Sequence, residues 1–237
     1  MEQIALCSEL IPESALRTLE RHGKEVLLLP PHPALPEPVS CHADMITSYF
    51  DDTVFFDKIY SEAHPEVITQ IREKTGCRVV VTDERLGEEY PADCLFNAAI
   101  GKRAALGHPS CSKALRRAIE ESGRVFIPVK QGYACCSSLV AGDALITADE
   151  GIAAAAEDFF DVMTISPGNI LLEPYDAGFI GGATGADAKA VYFVGDIDHH
   201  PDAAFIKDHL VDHHLDTVSL MHGRLVDVGG IKFINIE

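Results

Sequence analysis

A proline-led helix start recurs along the chain, at Leu10-Ile11-Pro12-Glu13, His64-Pro65-Glu66, His108-Pro109-Ser110 and His200-Pro201-Asp202. Proline suits the first turn of a helix, because the N–H it lacks would have no intrahelical partner there. The four prolines are 53, 44 and 92 residues apart, and 48 residues lead from Pro201 through the termini back to Pro12. The longest interval is two periods of 46, with Asp149-Glu150-Gly151 supplying the intermediate helix start. Five units fill the chain, and self-similarity at this period is the mark of a repeat architecture.

Each start leads into a helix of about three turns and then a short strand. The helices run Ser14 to Arg21, Ile68 to Ile71, Leu115 to Ile119, Ala153 to Phe159 and Ala203 to Val211. Their strands are Val26 to Leu28, Val79 to Val81, Val125 to Ile127, Val162 to Ile165 and Thr217 to Leu220. Gly23, Gly76 and Gly123 stop three of the helices, as residues able to take the left-handed cap conformation. Between one unit's strand and the next helix lies a strand-turn-strand pattern. Met45 to Phe50 turns at Asp51-Asp52 into Thr53 to Phe56. Cys94 to Ile100 turns at Gly101-Lys102, Ser138 to Val140 turns at Gly142-Asp143, and Phe179 to Ala183 connects to Val191 to Val194. The unit is ββαβ.

The fifth hairpin is split between the termini: Ile231 to Ile236 is expected to pair with Gln3 to Leu6. That pairing closes a ring and leaves no long edge strand exposed. The expected fold is an α/β, five-bladed propeller within a single domain. Its units fall at about 41–90, 91–133, 134–180 and 181–228, and the last joins 229–237 to 1–40. A helical solenoid would need two helices per period.

Composition limits the roles open to such a ring. With 47% hydrophobic residues the chain can bury a large core, and a net charge of −18 repels polyphosphates and anionic lipid surfaces. Arg116-Arg117 is too small a basic patch to offset it, so neither nucleic acid nor membrane is expected as a partner. The apolar run Val26 to Pro30 is far too short to span a bilayer, and Met1-Glu2-Gln3 does not begin a signal peptide. A cytosolic protein is expected. Seven cysteines, an odd number without a C-x-x-C pair, point to reduced thiols rather than disulfides or a zinc knuckle.

In a radial repeat the inner strands begin close to the axis, so their first residues converge on one channel. These read Cys41-His42-Ala43-Asp44-Met45, Pro91-Ala92-Asp93-Cys94-Leu95, Ala134-Cys135-Cys136-Ser137-Ser138, Ile180-Gly181-Gly182-Ala183 and Val226-Asp227-Val228-Gly229-Gly230. A His, several Asp residues and a Cys pair are thus directed to one cavity. The four glycines mark close backbone approach, or N–H groups offered to an anion.

This set resembles the pentein superfamily, the guanidino-group-modifying enzymes. Gly132 to Val140 is similar to the segment around the nucleophilic Cys of dimethylarginine dimethylaminohydrolases. His42-Ala43-Asp44 is similar to the H-x-D motif of arginine deiminases, and Glu89 to Leu95 resembles the intervening blade. The resemblance covers the whole chain through its repeats, with the blades in the order of a circular permutant. It also extends to an uncharacterised bacterial pentein-fold family. Two departures stand out: Ile180 to Ala183 carries no acid where a carboxylate is expected, and Gly229-Gly230 replaces a further one beside Asp227.

The resemblance implies hydrolysis of a C–N bond in an amidine, guanidine or amide small molecule, without cofactor or metal. Cys135 would attack the electrophilic carbon, His42 would shuttle protons, and Asp44 would orient His42 or accept a substrate N–H. Asp93, Asp227 and Cys136 would complete the binding site. Cys135 is chosen over Cys136 by the motif, because adjacent residues on a strand face opposite sides. The structural alternative makes Cys135 a buried filler, His42 and Asp44 a hydrogen-bonded pair, and the protein a non-catalytic ring that binds a small molecule or a protein.

Asp198-His199-His200 and Asp212-His213-His214 look like metal-binding strings. The first contains a repeated helix start and the second follows a solvated helix, so no metal site is expected. His214-Leu215-Asp216 imitates H-x-D but leads into an outer strand.

Overall fold

The computed structural model describes residues 2–236. Met1 and Glu237, the outer limits of the unit expected from the two termini, lie outside the described residues. The aliphatic and β-branched runs form β1 (Gln3–Ser8), β2 (Lys24–Leu29), β3 (Ser48–Phe50), β4 (Thr53–Asp57), β5 (Arg78–Thr82), β6 (Ala99–Ile100), β7 (Ala104–Gly107) and β8 (Val125–Pro128). The chain continues with β9 (Ser138–Ala141), β10 (Ala144–Thr147), β11 (Asp161–Thr164), β12 (Thr184–Ala186), β13 (Ala190–Phe193), β14 (Asp216–Ser219) and β15 (Ile231–Asn235). Among the described residues they make five three-stranded sheets, β15-β1-β2, β3-β4-β5, β6-β7-β8, β9-β10-β11 and β12-β13-β14. In every sheet the inner strand is antiparallel to the middle one, and the middle is parallel to the outer.

A helix makes each crossover from middle to outer strand: α1 (Glu13–Arg21), α4 (Pro65–Thr75), α5 (Lys113–Glu121), α6 (Glu150–Ala156) and α7 (Ala203–Asp212). Two shorter helices, α2 (Ala43–Ile46) and α3 (Lys58–Ala63), precede β3 and α4. The crossover helices bury one stripe each, for example Leu115 and Ile119 of α5 and Ile206 and Leu210 of α7. Each such side chain contributes about 1.5–3 kcal/mol of burial. The ring is closed by the termini as expected, with Gln3 opposite Asn235 and Cys7 opposite Ile231.

Local punctuation follows the residue chemistry. Gly76 caps α4 in the left-handed region at φ 65°. Asp51 and Asp52 both take positive φ in the β3–β4 turn, the backbone that a two-residue hairpin of the favoured twist requires. Pro65 is the first residue of α4 and Pro12 immediately precedes α1, but α5 starts only at Lys113, capped by the Ser112 hydroxyl. The pre-proline histidines earn a structural place: Nδ1 of His108 accepts the N–H of Ser110, and Nδ1 of His200 that of Asp202, each at 3.1 Å.

One expectation needs correcting. Three of the five inner strands begin later than the hydrophobic pattern implies, β3 at Ser48 rather than Met45, β6 at Ala99 rather than Cys94 and β12 at Thr184 rather than Phe179. Met45 lies in α2, Ala92–Cys94 is a 3-10 turn, and residues 134–137 form a turn closed by Ser137 N–H to Tyr133 O at 2.8 Å. Each inner strand is thus approached through a tight helical or turn segment. Asp93 and Asp44 are carried on such segments.

Candidate functional site

The five inner strands all contribute to an axial cavity of about 190 Å³, through Tyr49, Ile100, Leu139, Gly185 and Lys232 among others. A second cavity, of about 350 Å³, is lined by His42, Asp93, Cys136 and Asp227 with Tyr133, Tyr175 and Phe179. The expected site residues therefore divide between two compartments. Cys135 lines the axial cavity, and its sulfur accepts a hydrogen bond from Lys232 Nζ at 3.0 Å. It does not share a cavity with His42, contrary to the expectation, whereas Cys136 does. Neighbouring side chains diverge on an extended segment; at the 134–137 turn they diverge as well, and it is Cys136 rather than Cys135 that meets the cavity of His42.

Asp44 is 1% exposed, and its charge acts on Cys135, Cys136 and Asp227. Its helix α2 is held from two sides, by Asp44 N–H to Gly229 O at 2.9 Å and by Asn97 Nδ2 to Asp44 O at 3.0 Å. His42 is the residue before α2, and Gly229 packs against it so closely that a Cβ there would lie 2.3 Å from His42 Cα. Gly229 also has φ +81°, which a side chain would strain. Gly182 is pressed on Asp227 in the same way, with a built Cβ 2.0 Å from Oδ1. The expectation of close backbone approach at these glycines holds. The Gly229 N–H serves the Asp227 carboxylate of the same chain.

Asn97 was not singled out from the sequence. It is fully buried, and its Oδ1 accepts the N–H groups of Cys135 at 2.7 Å and Cys136 at 3.2 Å. Those two bonds fix the amide orientation, so Nδ2 must donate, and it does so to the Cys136 sulfur at 2.9 Å. The only signal for it is a polar residue inside the apolar run Leu95-Phe96-Asn97-Ala98-Ala99. Lys232 was missed too: it interrupts Ile231-Lys232-Phe233-Ile234 on a strand that closes the ring.

The electrostatics follow from burial. Burial lowers the His42 pKa, opposed by the negative charge of Asp44, and so favours a neutral imidazole. Burial pushes the Cys135 thiol up while the Lys232 ammonium pulls it down. Burial and then the charges of Asp44 and Asp227 raise Cys136 well above the ordinary thiol range. Asp227 is pushed up to about 7 by burial and by Asp44, despite accepting the N–H groups of Phe179 at 2.9 Å and Gly229 at 3.0 Å. His42 Nδ1 stands 3.7 Å from its Oδ1. Asp93 is held by the Tyr133 hydroxyl at 2.6 Å and by the Cys94 thiol at 3.3 Å.

The architecture is a five-bladed α/β propeller, with ββαβ blades arranged around an axis. Residues 6–232 match the model of a family of unknown function, DUF6873, and the chain belongs to that family. No curated protein matches it by sequence. Solved structures share the fold at low identity. SxtG, an amidinotransferase of the saxitoxin biosynthetic pathway from Microseira wollei, is similar with a TM-score of 0.55 and 10% identity over 92% of this chain and 88% of that one. A variant of DDAH from Pseudomonas aeruginosa complexed with citrulline gives 0.54 and 12%, over 93% of both chains. ArgZ, a cyanobacterial arginine dihydrolase, gives 0.53 and 10%, over 92% of this chain but 36% of its own. No helix among the described residues is long and apolar enough to cross a membrane.

Proposed function

We propose that this protein hydrolyses a C–N bond of a small amidine or guanidine in the His42 cavity. The observation that carries the reading is one cavity lined by a thiol, an imidazole and two carboxylates beneath aromatic rings. Asp93 and Asp227 would accept N–H groups of a cationic amidinium, and the faces of Tyr133 and Phe179 suit a delocalised cation. The fold neighbours titled as an amidinotransferase, DDAH and an arginine dihydrolase support the same substrate class.

In this reading the nucleophile is Cys136 rather than Cys135. Neutral His42 takes the thiol proton as the sulfur attacks the amidinium carbon, and the Asn97 N–H already on the sulfur stabilises the forming thiolate. The C–N bond breaks as His42 returns the proton to the leaving amine. Water then adds to the S-bound carbon, losing its proton to His42, and the C–S bond breaks to release an amide from an amidine or a ureido product from a guanidine, while His42 returns the proton to the sulfur. Asp44 tunes this chemistry through its charge, which acts on both thiols and on His42.

A second reading, a ring that binds a cation without turnover, is favoured by one fact: no cationic side chain hydrogen-bonds Cys136 among the described residues, and its thiol is held protonated. A haloacetamidine, a cationic alkylator of the substrate class, separates the two. Peptide mapping is expected to find Cys136 labelled, with protection by excess guanidinium and loss of labelling in His42→Ala. Absence of selective labelling at either thiol would leave the binding reading. Labelling at Cys135 alone would move the nucleophile to the axial cavity.

A further inference from the structure

The string Asp212-His213-His214 gives no metal site by sequence, yet the fold brings a third ligand to this helix from another blade. His209 lies in the last turn of α7 and His213 is its C-cap, so the two are four residues apart and on one face. Their ring centroids are 5.0 Å apart. Asp161, the first residue of β11 in the adjacent sheet, places Oδ2 3.0 Å from His213 Nε2. One ligand atom from each of Asp161, His209 and His213 lies within 4.8 Å of the others.

A second observation points to an occupant. His209 Nε2 is shielded from solvent and has no hydrogen-bond partner among the described residues. A buried polar atom of this kind normally has one. We propose that Asp161, His209 and His213 bind a divalent transition-metal ion of the zinc class. Two imidazoles and one carboxylate are a borderline donor set, unlike the all-oxygen shells of calcium and magnesium or the thiolate shells of copper(I). Ligand atoms on a tetrahedral zinc ion sit roughly 3.3 Å apart, given bonds of about 2.0–2.1 Å. The His213–Asp161 pair thus has to open by only a few tenths of an ångström, while the His209 ring closes in. The ion would join α7 to the outer strand of the neighbouring blade, and its three protein ligands would leave a coordination position for water.

The test is calorimetric and spectroscopic titration of the full chain with Zn²⁺ and with Co²⁺ at pH 7.5. The expected result is one ion per chain, weak visible cobalt bands without a strong sulfur-to-cobalt band in the near ultraviolet, and a raised Tm with zinc. Asp161→Asn and His209→Ala, at an exposed strand end and a half-buried helix position, are each expected to weaken binding at least tenfold and to abolish the Tm gain. Retention of tight binding in both variants, a thiolate charge-transfer band that assigns the ion to cysteines, or failure of the wild-type chain to bind would each overturn the proposal.

Discussion

The Lys232 ammonium and the Cys135 sulfur stand 3.0 Å apart in the axial cavity, with the charge of Asp44 acting on both. The cation thus sits beside one thiol of the vicinal pair, while the other accepts the Asn97 amide N–H and is raised by the charges of Asp44 and Asp227. The two sulfurs therefore respond differently to substitution of their neighbours.

Lys232→Met removes the charge that lowers the Cys135 pKa, so its alkylation by iodoacetamide is expected to shift to higher pH and to slow several-fold at neutral pH. Asp44→Asn removes a charge that raises both thiols, so both profiles are expected to move to lower pH. Mass-spectrometric rates at each cysteine check the signs. Equal shifts at Cys135 and Cys136 in Lys232→Met would contradict the separation into two compartments.

Asn97→Ala strips partners from two buried N–H groups and one carbonyl. A loss of about 3 kcal/mol of stability is expected, measured by urea unfolding. Loss of Cys136 labelling should accompany it if the Asn97 N–H supports that sulfur.

Gly229→Ala combines strained backbone with a collision at His42, whereas Gly23 has φ +73° and nothing within 4 Å of a built Cβ. Gly23→Ala is expected to cost about 1–2 kcal/mol from backbone strain alone. Gly229→Ala should cost more and weaken guanidinium binding by displacing His42. Comparable unfolding midpoints for the two variants would show that the contact yields cheaply.

Asp227 has its carboxyl raised to about 7 in the folded state, above the roughly 3.9 of an unfolded chain. The folded form then holds the extra proton between these values, so this group's contribution to stability falls as pH rises from about 4 to 7 and is constant beyond. The stability difference between Asp227→Asn and wild type is expected to move in favour of the variant across that window, on top of a fixed cost for the lost acceptor. Binding of a cationic amidine should strengthen through pH 7 and release a proton, a signal that calorimetry in buffers of different ionisation heat detects.

The ring was legible because proline, glycine and aliphatic periodicity are local signals that recur. Closure was legible for the same reason: Gln3 to Leu6 and Ile231 to Ile236 are each half of a hairpin. Which cavity each sulfur meets was not, because it depends on a turn at 134–137 that Asn97 holds from another blade through the N–H groups of both cysteines. The sequence also hid the approach of Asp161 to His213, since residues 52 apart in the chain come together only through packing of adjacent blades. His42, Asp93 and Asp227 were singled out because repeat phase puts each just before or on the segment leading to an inner strand, and the structure lines one cavity with all three.

Pairing of β1 with β15 joins segments as far apart as Gln3 and Asn235, 232 residues along the chain. During synthesis the first strand must wait for nearly the whole remaining chain to leave the ribosome before its partner exists. The lysine beside Cys135 arrives with that partner, so the axial thiol gains the cation that draws its pKa down only as assembly finishes.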